Sequence, residues 1–90
     1  MYNLDYTETA KADMQRLKQS EPQSFAKLGR LLEELMEHPR TGTGHPKQLS
    51  GNLSSQWSRR ITKKHRLVYE IHDNQVIVLV LSTYGHYDDK

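Results

Sequence analysis

Two amphipathic helical patterns early in the chain and three strand-like runs late in it predict an α+β fold. In that fold two N-terminal helices pack on one face of a twisted, mainly antiparallel sheet. Apolar residues recur at helical spacing as far as Met36, and from Trp57 onward at strand spacing with turn-sized gaps. No repeat, linker or low-complexity tract interrupts the 90 residues, so residues 1–90 read as one domain. A chain of this size buries only about 60–65% of the surface its unfolded form exposes. With 34% hydrophobic residues, its core must be small and its surface polar.

Asn3-Leu4-Asp5-Tyr6 alternates polar and apolar residues and reads as a first strand. Thr7 is a helix N-cap with Glu8 well placed in the first turn. Ala10, Met14 and Leu17 then share one helix face, out to about residue 19. Ser20-Glu21-Pro22-Gln23 offers a capping-box start to a second helix. Phe25, Leu28, Leu31, Leu32, Leu35 and Met36 form its apolar stripe, and Pro39 stops it. These apolar residues are assigned to the core rather than to a ligand groove.

The strand candidates are 57–62, 65–71 and 76–83, joined by Lys63-Lys64 and Asp73-Asn74 as an antiparallel meander. Residues 76–81 are apolar on both faces and are expected to be the central strand. In the strand before it, His65, Leu67, Tyr69 and Ile71 point one way; Arg66, Val68 and Glu70 point the other.

There are no cysteines, which excludes a disulfide framework and a cysteine-ligated zinc site. The N-terminus shows neither a basic region nor an apolar run, so no signal peptide is expected. The longest apolar run, 76–81, is far short of the about 20 residues that span a bilayer. A cytoplasmic protein without a membrane partner is the expectation.

The net charge of +2 conceals a segregation. Residues 1–37 carry seven acidic and five basic side chains. Residues 38–69 carry no acid, against Arg40, Lys47, Arg59, Arg60, Lys63, Lys64 and Arg66, with His38, His45 and His65 besides. Such a segment suits a polyanion, although a solvated charged face has the same composition. The glycines of Thr41-Gly42-Thr43-Gly44-His45-Pro46 do not make a phosphate loop, because no strand precedes them and no Gly-Lys-Ser/Thr follows.

Three stretches together resemble the signature of the YoeB/Txe toxins: Asn52-Leu53-Ser54, Trp57-Ser58-Arg59-Arg60-Ile61-Thr62 and His65-Arg66-Leu67-Val68-Tyr69. Gly42-Thr43-Gly44-His45-Pro46 before them and Gly85-His86-Tyr87 after them match in order and spacing. The resemblance is strongest over residues 40–87, and the strand-helix-helix start fits the same RelE-like fold. It implies a ribosome-dependent mRNA endoribonuclease of a type II toxin–antitoxin system, working without metal or cofactor. In this chemistry a 2′-hydroxyl attacks the adjacent phosphate and leaves a 2′,3′-cyclic phosphate and a 5′-hydroxyl.

Such a reaction needs a base, a cation for the phosphorane and an acid for the leaving oxygen. The resemblance gives Arg66 the phosphate, His86 the proton for the leaving group, and Tyr87 a contact with substrate. It gives RNA contacts to Arg60 and, with the rest of the basic segment, to Arg59, Lys63, Lys64 and His45. Trp57 is assigned to packing. Partners implied are a YefM/Axe-like antitoxin with an acidic segment that covers the basic face, and the ribosome with its mRNA; a homodimer is compatible with the pattern.

Two positions depart from the family. Lys47 stands where a glutamate general base is expected, and Ser50 where many relatives carry a basic residue. A lysine with an ordinary pKa of about 10.4 is under about 0.1% neutral at pH 7. Three arrangements stay open: Lys47 is a catalytic base or charge stabiliser; His45, His86 or Glu70 is the base; or the site is weakened. Two non-catalytic readings compete with all three, a ParE-like toxin that inhibits gyrase and a plain nucleic-acid or partner-binding module.

Overall fold

Thr7 is where the first strand becomes the first helix. Its side-chain oxygen accepts the Ala10 N–H at 3.0 Å, capping the helix, while its hydroxyl donates to the Leu81 carbonyl at 2.8 Å. One residue thus starts a helix and ties it to the last strand. The computed structural model describes residues 1–49 and 55–85. In it β1 (Asn3–Tyr6) leads into α1 (Glu8–Ser20) and α2 (Pro22–Glu37). Strands β2 (Lys47–Gln48), β3 (Gln56–Arg60), β4 (Arg66–His72) and β5 (Ile77–Ser82) follow, with a 3₁₀ turn at Asp73–Gln75 between the last two.

The capping box expected at Ser20 does not form. Ser20 ends α1, its hydroxyl turned back to the Arg16 carbonyl at 2.7 Å. Glu21 takes the cap position of α2 without a side-chain cap, because its carboxylate is engaged with Ser24 and His65. Pro22 opens α2, and the helix stops at Glu37, ahead of Pro39.

The strands form one sheet in the order β1-β5-β4-β3-β2. The β3-β4-β5 meander is antiparallel as expected, and β1 joins β5 in parallel. The middle place belongs to β4, not to the 76–81 run. β5 lies between β1 and β4, and the short β2 extends the sheet on the far side of β3. Val76 itself sits in a left-handed turn, so β5 begins at Ile77.

Ala10 and Leu17 of α1 and Leu28, Leu31, Leu32 and Leu35 of α2 are buried against Leu67 and Tyr69 of β4 and Val78 and Val80 of β5. Met14, Phe25 and Trp57 pack on the edge of this core. Burying such side chains contributes about 1.5–3 kcal/mol each, the main force holding the helices to the sheet. The opposite face of β3 and β4 is free of helices and carries the candidate site. No helix of the described residues is long and apolar enough to cross a membrane.

Candidate functional site

Neighbouring residues of a strand point to opposite faces, and on β3 that rule separates Arg59 from Arg60. Arg59 points into the core and is fully buried. Its Nε donates to the Tyr69 hydroxyl at 3.1 Å. Its two terminal nitrogens reach Glu34 Oε1 at 2.9 Å and the carbonyls of His38, Thr41 and Thr43 at 2.5–3.2 Å. Arg59 is therefore not an RNA contact: its guanidinium is used up in organising residues 38–43. Hydrogen bonds from the Thr43 hydroxyl and backbone, then Arg59, hold the Glu34 carboxyl below its usual range. Gly42 has φ +119°, and a Cβ there would collide with the Glu34 carboxylate, so glycine lets the loop close over the ion pair.

Arg60 is exposed on the other face. It stands directly opposite Arg66 of β4, and Lys47 of β2 stands opposite Ser58 of β3. Direct partners in an antiparallel pair have Cβ atoms about 4.5–5.5 Å apart, and diagonal ones such as Lys47 and Arg60 about 7–8 Å. A cleft of about 250 Å³ results, lined by Gly44, His45, Lys47, Leu49, Ser58, Arg60 and Arg66. The Arg60 N–H holds the Gly44 carbonyl at 2.7 Å, which brings His45 to the rim. No carboxylate lines the cleft among the described residues. Like charges placed face to face are unfavourable in a sheet, and a bound anion would relieve them.

The sequence candidates Lys47, Arg60, Arg66 and His45 thus converge. Lys63 and Lys64 are exposed on the turn beyond the Arg60–Arg66 pair, with Lys64 Nζ 3.7 Å from Glu21. Glu70 shares the outward face with Arg66 but lies four residues, about 13 Å, along the strand. Its carboxylate meets His72 at 3.0 Å and Gln56 at 3.3 Å, so it does not line the cleft. Arg40 forms a two-pronged pair with Asp73, which also accepts the Tyr2 hydroxyl, and belongs to the fold's scaffold. His86 and Tyr87, with Ser50 and Asn52-Leu53-Ser54, lie outside the described residues.

Two features were not foreseen. β2, which carries Lys47, is too short to show alternation in sequence. Glu34 gave one faint signal, an acid one residue from Leu35 on the flank of an apolar stripe.

The model of the YoeB-like toxins of bacterial type II toxin–antitoxin systems matches residues 6–87. "Toxin YoeB" of Synechocystis is 35% identical over 84 residues, covering 93% of this chain and 95% of the relative. The solved "YoeB/ParE toxin from Agrobacterium tumefaciens" superposes with a TM-score of 0.89 at 28% identity, covering 94% of this chain and 99% of that one. YoeB of Staphylococcus aureus, solved as a dimer, gives a TM-score of 0.84 at 31% identity over 96% of this chain and 98% of that one. Its complex with YefM gives 0.82 at 30%, over 97% and 99%. Fold and sequence agree, and the chain belongs to the YoeB-like toxins of bacterial type II toxin–antitoxin systems.

Proposed function

We propose that the cleft receives an RNA backbone and that the chain is a ribosome-dependent mRNA endoribonuclease that inhibits translation. The observation that carries this reading is the convergence of Lys47, Arg60 and Arg66 on one cleft whose described lining has no carboxylate. The scissile phosphate lies against Arg66, whose planar guanidinium can hold two phosphate oxygens at once. A 2′-hydroxyl loses its proton to a base and attacks the neighbouring phosphorus, and the bond to the 5′-oxygen breaks. His86 donates the proton that the 5′-oxygen takes up, and a 2′,3′-cyclic phosphate remains. Arg66 and Lys47 stabilise the extra charge of the phosphorane. Arg60 and His45 hold the flanking backbone, and Tyr87 contacts the substrate.

Of the candidate bases, Lys47 and His45 line the cleft and Glu70 does not. A site without a carboxylate where the family places one also supports the reading that this chain cuts slowly. Such a protein works in the cytoplasm, where its mRNA is. It pairs with a YefM-like antitoxin and forms a dimer, as the Staphylococcus aureus relative does.

The test is end-chemistry on ribosome-programmed mRNA with this chain, Lys47→Glu and His86→Ala. Cleavage with cyclic-phosphate ends, lost in His86→Ala, is the expected result. Cleavage by Lys47→Glu alone identifies a disarmed family member. No cleavage by any of them rejects the ribonuclease and favours a gyrase-type or binding-only protein.

A further inference from the structure

Residues 83–85 leave the sheet next to Arg66 and are held by both α1 and β4. An extra residue in β5, Leu81, shifts its register against Val68 and Tyr69 of β4 and re-aims the chain. The Thr83 N–H then donates to Asp13 Oδ2 of α1 at 3.0 Å. The Tyr84 ring lies 3.8 Å from the Arg16 guanidinium and 4.4 Å from the His65 ring. The Gly85 N–H donates to His65 Nδ1 at 2.8 Å, and its carbonyl accepts the Arg66 N–H at 2.7 Å. The next residue in the sequence is His86.

The proton on His65 can be placed by elimination. A backbone N–H only donates, so Nδ1 must be the bare acceptor, and the proton of the neutral ring sits on Nε2. Nε2 is 2.9 Å from Glu21 Oε2 and donates to it. That hydrogen bond is the main reason why the Glu21 carboxyl lies below its usual range. It also explains why Glu21 forgoes capping α2. His65 is 1% exposed with both ring nitrogens in use, so it has no atom left for RNA.

We infer that His65, its tautomer set by Glu21, is a positioning residue that fixes Gly85 beside the Arg66 backbone, at the point where the chain goes on to His86. The inference rests on the ribonuclease reading above. Gly85 is bonded through its N–H to the His65 side chain and through its carbonyl to the Arg66 backbone. Arg66, proposed to bind the phosphate, and Gly85, which precedes the proposed acid in sequence, are therefore tied directly to each other.

Two variants separate positioning from bulk stability. In His65→Asn the side-chain oxygen can take the place of Nδ1 and accept the Gly85 N–H, but the side chain is too short for Glu21. In His65→Gln the amide can reach Glu21, but nothing accepts from Gly85. Each is measured in the parent and in the Lys47→Glu background for kcat and KM on programmed ribosomes, for amide hydrogen exchange at Gly85, and for Tm.

In His65→Gln, Gly85 should exchange about tenfold faster. Its kcat should fall about 100-fold, the scale of a 1 Å misplacement, at nearly unchanged KM. His65→Asn should keep most of both. A His65→Gln chain that cuts like its parent, or losses in the two variants that merely follow their Tm, would overturn the positioning role alone. Silence of the parent and of Lys47→Glu overturns the ribonuclease reading and the role of His65 with it.

Discussion

Arg59 and Arg60 are neighbours in sequence and stand on opposite faces of one sheet. The inner arginine is dry, spread over one carboxylate, three carbonyls and a tyrosine hydroxyl. The outer one faces Arg66 across the strand pair, in a cleft where no described side chain is acidic. Residue type is the same and the strand is the same; what differs is whether the protein itself supplies the partners. On the inner face it does, and charge becomes part of the scaffold. On the outer face it supplies little, among the described residues one bond from Arg66 Nη1 to the Thr62 carbonyl at 3.2 Å, and the rest of the charge stays open to a ligand.

That contrast can be broken first on the inner face. Arg59→Met would leave the carbonyls of His38, Thr41 and Thr43 without their donor. Glu34 would keep only Thr43 and the Tyr69 hydroxyl only the Pro39 carbonyl, a loss of about 3–5 kcal/mol in all. A small domain has only about 5–15 kcal/mol in total, so chemical denaturation should show a chain close to unfolding. A loss under about 1 kcal/mol would mean that the inner arginine is no scaffold.

The outer face should respond in the opposite way. Arg60→Gln should leave Tm unchanged or slightly raised, since it removes a like-charge pair. It should lower the salt slope of binding to a single-stranded RNA oligonucleotide by about 1. An unchanged slope would take Arg60 out of the interface.

Acid gives the mildest contrast, because among the described residues the affected carboxylates lie away from the cleft. Glu34, Glu21 and Asp73 are held below their ordinary values of 4.5, 4.5 and 3.8 in the folded chain. Between the folded and ordinary values the unfolded chain binds more protons. Their stabilisation is therefore fully present above the ordinary values and fades as pH falls through the folded ones. Thermal melts should show Tm dropping as the pH is lowered below about 4.5; a Tm that stays flat to pH 3 would contradict this.

The sequence made the helices, the meander and the cationic character legible, because each rests on periodicity or composition. Leu28, Leu31 and Leu35 could hardly serve anything but a core. The fate of each arginine was less legible. Strand alternation puts Arg59 and Arg60 on different faces, but the carbonyls that absorb Arg59 come from a loop without periodicity. β2 was hidden by its length, and the central place of β4 followed from β2. The capping box at Ser20 failed because Glu21 is drawn to a histidine 44 residues away, a tertiary demand that local pattern does not contain. Arg66, Arg60, Lys47 and His45 were readable as a group through the family motif, and the geometry adds that they share one cleft.

The most direct measurement of the central claim, that the outer face is the working face, is cleavage and thermal stability of Arg66→Gln side by side. If Arg66 stabilises the phosphorane, single-turnover cleavage on programmed ribosomes falls by about 100-fold or more while Tm stays at the parent value. Cleavage at the parent rate, or a loss fully explained by a collapse of Tm, would contradict the account.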